Sequence, residues 1–250
     1  MADVLREVTV FFEDCEKGKL NELTTLKQAG SNRQYFRAVT DNDSFIITYN
    51  PNNVQENNAF IEFSRHFHKK HLAVPEILHV DKERTKYLQT DFGDVSLFDI
   101  IKKEGYTDHA KSLYRKAFVE LAKLQVLGGE GLDYSNCIAT RSFDKQAIYS
   151  DLLYFLYYFI RALDLPYDKN LLLNDFEILS SYLMQEEAKY FMHRDCQSRN
   201  VMVKDAEVYF IDYQGGMQGA LQYDVASMLW QARAVLPNDW KDELAGFYFD

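Results

Sequence analysis

Residues 191–212, FMHRDCQSRNVMVKDAEVYFID, constrain this chain more than any other stretch. A His193–Arg194–Asp195 triplet is followed, five positions after the aspartate, by Asn200. Two short runs rich in β-branched and aromatic residues come next, NVMVKD (200–205) and EVYFID (207–212), joined by a tight turn. The second run ends on Asp212. A hairpin returns its end to the side of its start, so Asp212 comes beside Asn200. A fold that accepts this sequence therefore gathers Asp195, Asn200 and Asp212 around one point.

Such a gathering suits one chemistry. Phosphoryl transfer asks a protein for positioning and charge neutralisation rather than for covalent chemistry. One carboxylate must face the attacking hydroxyl, and hard oxygen ligands must hold a cation against the phosphates. Asp195, at the loop's start, is placed for the first task. Asn200 and Asp212 offer an amide carbonyl and a carboxylate, a pair that suits Mg²⁺ rather than zinc. His193 and Arg194 read as organisers of the loop backbone. Cys196 reads as a small residue filling the position between Asp195 and Gln197, not as a nucleophile. The triplet alone is a weak signal, and a polar surface turn would account for it. The triplet, the asparagine, the hairpin and the terminal aspartate together are a strong one.

The rest of the chain divides near residue 92. Before it, residues 3–16 have helical apolar spacing, and strands are expected at 22–27, 35–40 and 45–49, separated by the turns AGSNRQ and DNDS. Phe60, Phe63 and Phe67 share one face of a helix over 54–71, and strands follow at 75–81 and 85–91. After it, helical spacing covers 95–104, 108–126, 144–163, 171–187 and 222–235. Two units are expected, 1–92 and 93–250. The closing DELAGFYFD has helical spacing without a Gly or Pro stop, which predicts a chain that continues in a longer protein.

Composition excludes several classes. Lys and Arg number 28 against 38 Asp and Glu, a net charge of −10, which argues against a general nucleic-acid binder. The acidic first twenty residues are not a signal peptide. No run reaches the roughly 18 apolar residues of a membrane span. The richest, DLLYFLYYFIRALDL, predicts a buried helix. Cys15, Cys137 and Cys196 are widely spaced without a CxxC pair, which fits reduced thiols in a cytoplasm.

With its β-rich first unit, the motif resembles the kinase-like phosphotransferases, which include protein kinases, choline kinases and aminoglycoside phosphotransferases. More narrowly, GSNRQYFRAV, VPEILHVD, HRDCQSRNVMV and IDYQGGMQGALQYDVASML resemble the bacterial kinases that phosphorylate the anomeric hydroxyl of N-acetylmuramate or N-acetylglucosamine. The resemblance runs from about residue 20 to 240. It implies an α+β, bilobal fold: a small antiparallel sheet with one helix, then a mainly helical lobe. It implies ATP and Mg²⁺, with Asp195 as catalytic base and Asn200 and Asp212 as metal ligands. Gly30, Ser31, Asn32 and Arg33 would cover the phosphates. Thr90, Asp91, Phe92 and Gly93 would form the hinge that offers backbone groups to adenine, and Asp224 would brace the catalytic loop. The expected partner is a small-molecule hydroxyl acceptor, a sugar, with Asp195 and Gln197 near it and, if the helix at 144–163 lines the pocket, Asp151; no nucleic acid or membrane is expected.

The sequence departs from the pattern in places. Protein kinases carry a lysine on the third strand; here SFIITYNPN has Thr48 near that place and no lysine. Arg33 and Arg37 are candidates for its work, against the plainer reading of solvated hairpin charge. Glu62 is a possible partner on the following helix. Only residues 213–223 separate Asp212 from Asp224, and no A-P-E follows, so a small acceptor is preferred to a peptide. Gln197 stands where a histidine is expected in the sugar kinases. Tyr149, Asp151, Tyr154, Tyr157 and Tyr158 on the helix at 144–163 would suit a sugar if that helix lines a pocket; the alternative is an amphipathic core helix. Two other functions stay open: an aminoglycoside or choline-type kinase, and a catalytically weak nucleotide-binding regulatory module.

Overall fold

The computed structural model describes residues 2–26 and 33–250. Helix α1 (Ala2–Asp14) precedes strands β1 (Glu22–Thr25), β2 (Gln34–Val39) and β3 (Ser44–Tyr49). Helix α2 (Val54–Lys69) and strands β4 (Ile77–Val80) and β5 (Lys86–Thr90) follow. All five strands form one antiparallel sheet in the order β1-β2-β3-β5-β4. Side chains alternate across a strand, and the alternation gives this sheet two different faces. Phe36, Ala38, Ile47 and Leu88 pack against Val8, Phe11 and Phe12 of α1. Tyr35, Arg37, Ile46, Tyr87 and Gln89 face a cleft. The sheet lobe thus holds two helices where the resemblance implies one, because α1 covers the face turned away from the cleft.

The second half is mainly helical: α3 (Leu97–Glu104), α4 (Asp108–Gly129), α5 (Lys145–Phe155), α6 (Lys169–Leu183), α7 (Leu221–Leu229) and α8 (Asn238–Phe249). Helix α3 starts at a capping box, in which the Ser96 hydroxyl accepts from the Asp99 amide and the Asp99 carboxylate accepts from the Ser96 amide. Between α6 and α7 lie β6 (Tyr190–Met192), the hairpin β7 (Val201–Lys204) and β8 (Glu207–Phe210), and β9 (Met217–Gly219). The architecture is α+β and bilobal. The main core crosses both lobes, joining Phe60, Phe63, Phe67 and Tyr87 to Leu113, Phe118, Phe191 and Tyr213.

Three expectations are corrected. Helix α7 stops at Leu229 rather than 235. Strands β6 and β9, three residues each, pair antiparallel and were too short to read from the sequence. Their approach requires Gly216, where a Cβ would lie 2.5 Å from the Phe191 ring. The third correction concerns the stretch expected to be buried. Helix α5 passes into a π-helical turn over Leu156–Ile160, and Tyr154 and Tyr158 are 65% and 68% exposed. The buried apolar cluster between α5 and α6 consists of Leu156, Ile160 and Phe176. The two helices cover each other along one narrow stripe, and no other described element packs on the outer face of this hairpin.

Candidate active site

Strand β6 delivers the chain into the loop that starts at His193. Two successive backbone amides are captured by one buried carboxylate: His193 N donates to Asp224 Oδ2 at 2.8 Å, and Arg194 N to Oδ1 at 3.1 Å. Gln125 Nε2 on α4 adds a third donor to Asp224 at 3.0 Å. Burial pushes the Asp224 carboxyl above the ordinary carboxylate range despite these donors and His193. The His193 ring donates from Nε2 to the carbonyl of Ile211 at 3.1 Å, tying the loop to the residue before Asp212. Arg194 has φ +75°, a strained conformation of the kind that concentrates at functional sites. Its guanidinium lies 4.9 Å from the Phe143 ring centroid and 5.3 Å from that of Tyr223. It donates to both oxygens of Asp151 at 2.7 and 2.9 Å. Asp151 therefore fastens α5 to the loop through Arg194.

Asp195 is oriented by three side chains. Gln197 Nε2 donates to its Oδ1 at 2.6 Å, while Arg199 Nη2 and Asn200 Nδ2 donate to Oδ2 at 3.1 and 2.9 Å. Asn200 Nδ2 also donates to the Asp195 carbonyl at 2.9 Å. With its amide nitrogen so engaged, Asn200 turns its carbonyl oxygen to the other side. The 3-10 turn Ser198–Asn200 leads into β7, and Ile211 N closes the hairpin onto the backbone carbonyl of Asn200 at 3.0 Å. Asp212 is thus held next to Asn200.

Asp212 also has a left-handed backbone, φ +66°. Its neighbour Tyr213 is fully buried, stacked 4.9 Å from Phe60 on α2, with its hydroxyl 2.7 Å from that of Ser64. That anchor fixes where Asp212 projects. Asp212 Oδ1 accepts from Arg33 Nη2 at 2.6 Å and from Gln214 Nε2 at 3.0 Å. Burial pushes its carboxyl up, but the Arg33 charge and these two donors outweigh burial and hold it below the ordinary range.

Between the lobes lies a cleft of about 580 Å³. Arg33, Tyr35, Ile46 and Gln89 line its roof, Asn200, Met202, Ile211 and Asp212 its floor, and Thr90, Asp91, Phe92 and Gly93 its back. The last four are braced firmly. Arg37 donates to Asp91 at 2.6 and 3.1 Å and to Asp94 at 2.7 and 2.9 Å. Phe92 stacks on Tyr209 with centroids 4.0 Å apart. Gly93, at φ +81°, returns its amide to Asp91 Oδ1 at 2.8 Å, a turn that glycine tolerates best. Three backbone groups there are already bonded: Thr90 N to the Glu76 carbonyl, the Asp91 carbonyl by Lys204 Nζ, and Gly93 N.

The structure thus brings Asp195, Asn200 and Asp212 together, with Arg33 beside them and Thr90–Gly93 across the cleft. Gly30, Ser31 and Asn32 lie outside the described residues. None of Tyr149, Tyr154, Tyr157 and Tyr158 lines the cleft; the Tyr149 hydroxyl donates to Glu177 at 2.7 Å. Glu62 does not face the cleft as a partner of the site, being paired with Arg84 and, at 3.3 Å, with Arg65. Three residues escaped sequence reading. Glu56, 3.5 Å from Arg33, was hidden by its position three after Asn53, which reads as helix capping. Arg199 had a usable signal in its i,i+4 spacing from Asp195. Gln214 had none.

The donor set fits Mg²⁺. Asn200 and Asp212 supply a carbonyl and a carboxylate, and no cluster of three or more His, Cys, Asp or Glu forms a metal cage among the described residues. A cation held by two side chains and a phosphate is how Mg²⁺ is commonly bound.

Comparison with known proteins follows the geometry. A family described as "Phosphotransferase enzyme family" matches residues 22–250. A curated N-acetylmuramate/N-acetylglucosamine kinase of Neisseria meningitidis is 24% identical over 216 residues, which cover 84% of this chain and 60% of that protein. One of the same name from Pseudomonas aeruginosa is 23% identical over 210 residues, 83% and 59% of the two chains. The chain spans about three fifths of the length of these relatives. Among solved structures, an ADP-bound aminoglycoside phosphotransferase superposes with TM-score 0.68 at 15% identity, covering 97% of this chain and 81% of that one. A choline kinase of Streptococcus pneumoniae gives 0.67 at 12%, covering 97% and 80%. At such identities the likeness shows the fold alone.

Proposed function

The chain belongs to the phosphotransferase enzyme family, and from that premise we propose that it is an ATP-dependent kinase. It moves the γ-phosphate to a hydroxyl of a small acceptor, an amino sugar such as N-acetylmuramate or N-acetylglucosamine. One observation carries the reading: Asp195, Asn200 and Asp212 belong to a single hydrogen-bonded unit below the cleft between the lobes. Asp195 takes the acceptor's proton; Gln197, Arg199 and Asn200 aim its carboxylate. Asn200 and Asp212 would hold Mg²⁺, which when bound neutralises charge on the phosphates. Thr90–Gly93 receive the adenine. Residues 1–92 form the nucleotide lobe and 93–250 the acceptor lobe. With its carboxylate engaged by Arg194, Asp151 serves the acceptor by fixing the loop. Free, buried thiols at Cys15, Cys137 and Cys196 favour a cytoplasmic setting.

The amino-sugar acceptor draws its support from the two curated relatives, and the short link 213–223 leaves no platform for a peptide. A screen with labelled ATP and Mg²⁺ tests the reading, using N-acetylated sugars, plain sugars, choline and aminoglycosides. Turnover of an N-acetylated sugar is expected. Turnover of choline or an aminoglycoside alone would overturn the acceptor class, and ATP binding without any turnover would favour a regulatory module.

A further inference from the structure

Kinases that carry a lysine on the third strand use it to grip the nucleotide phosphates, and pair it with a glutamate on the next helix. Here the cleft face of β3 offers Ile46 and Thr48 instead. Thr48 is fully buried and its hydroxyl accepts from Gln89 Nε2 at 3.4 Å. Yet a nucleotide's phosphates require a cation in this place. Three arginines line the cleft, Arg33, Arg37 and Arg199. All three are paired with acids: Arg37 with Asp91 and Asp94 at the back, and Arg199 with Asp195. Arg33 alone of the three stands beside Asp212, at 2.6 Å, with Glu56 of α2 at 3.5 Å. It is only 4% exposed. It lies just before β2, whose Tyr35 stands opposite Thr48 in the register. A side chain entering from there reaches the space that a β3 lysine would fill.

We propose that Arg33 is the phosphate-binding cation of this site, with Glu56 as its helix partner. This rests on the nucleotide reading given above. Without nucleotide, Arg33 neutralises Asp212. With a cation held at Asp212, a phosphate gripped by Arg33 would offset the repulsion between the two positive charges. The guanidinium's several donors let it keep Glu56 while gripping a phosphate, which a single ammonium does less well.

The test compares wild type with Arg33→Ala and Arg33→Gln, titrating ATP·Mg²⁺, adenosine and Mg²⁺ alone by calorimetry. Loss of one buried charge-assisted contact predicts ATP·Mg²⁺ weakened about 10- to 100-fold. Adenosine affinity stays within about twofold, since it carries no phosphate. Mg²⁺ alone binds the variants no more weakly than wild type, because Arg33 no longer competes for Asp212. A residue that merely propped Asp212 in place would weaken Mg²⁺ alone and ATP·Mg²⁺ together, and that result overturns the proposal. So does unchanged ATP·Mg²⁺ affinity in both variants. Arg33→Gln keeps a donor toward Asp212 and guards against an alanine variant that does not fold. Wild-type protein that binds neither ATP nor adenosine would overturn the nucleotide reading itself, and the proposal with it.

Discussion

The His193–Asn200 loop and the α5–α6 hairpin lie a few residues apart in the sequence and obey opposite rules. In the loop, position is set by directional bonds. Asp224 takes two amides, Asn200 turns its amide to Asp195, and Ile211 returns to Asn200. Few backbone paths satisfy them all, and strained residues at Arg194 and Asp212 are held there by the rest. In the hairpin, the sequence is apolar almost all round, yet its own buried apolar cluster is only Leu156, Ile160 and Phe176. The hydrophobic effect has no direction. An apolar run states that some surface should be covered, not which side or by what.

The contrast can be broken at its strong end first. Asp224→Ala leaves the backbone amides of His193 and Arg194 without an acceptor, at about 1–3 kcal/mol each before relaxation, and reduces Gln125 Nε2 to its bond with the Leu221 carbonyl. A loss of about 3 kcal/mol or more in urea unfolding is expected; less than 1 would mean that the loop holds its shape by other means. Asp91 sharpens the same point through pH. Burial raises its carboxyl, but Arg37, the Gly93 amide and Ser44 outweigh burial and hold it below its ordinary 3.8. Its folded-state pKa is depressed, so its stabilisation is present above the ordinary value and disappears as pH falls through the lowered one. Asp91→Asn should thus lose about 1–3 kcal/mol at pH 7, with the gap to wild type closing below about pH 4. A gap that stays constant would remove the charge from the explanation. At the weak end, Tyr158→Ser on the open face of the hairpin should change stability by less than about 0.5 kcal/mol. A loss of 2 kcal/mol would show that this face is covered in solution.

The same division decides what the sequence made legible. The two hairpins of the sheet, α2 and the β7–β8 hairpin were readable because turn residues and periodicity are local signals. Asp195, Asn200 and Asp212 were readable because chain spacing alone brings them together. Strands β6 and β9 were not, since three residues such as Met217–Gly219 carry no period and are defined only by their partner. Nor was the choice of Glu56 over Glu62: both are acids of α2, and only packing against the sheet decides which one meets Arg33. The absent β3 lysine was visible as a gap, with Arg33 and Arg37 as candidates for its work, but which of the two stands beside Asp212 is decided by packing that the sequence does not spell out.

One comparison tests the kinase reading at its base: Asp195→Asn against wild type, with ATP·Mg²⁺ affinity and turnover of the preferred acceptor measured on the same preparations. The amide keeps the side chain's shape but cannot take a proton. Turnover should fall about 10²- to 10⁴-fold while nucleotide affinity stays within about threefold. Turnover equal to wild type would remove Asp195 as the base and contradict the account.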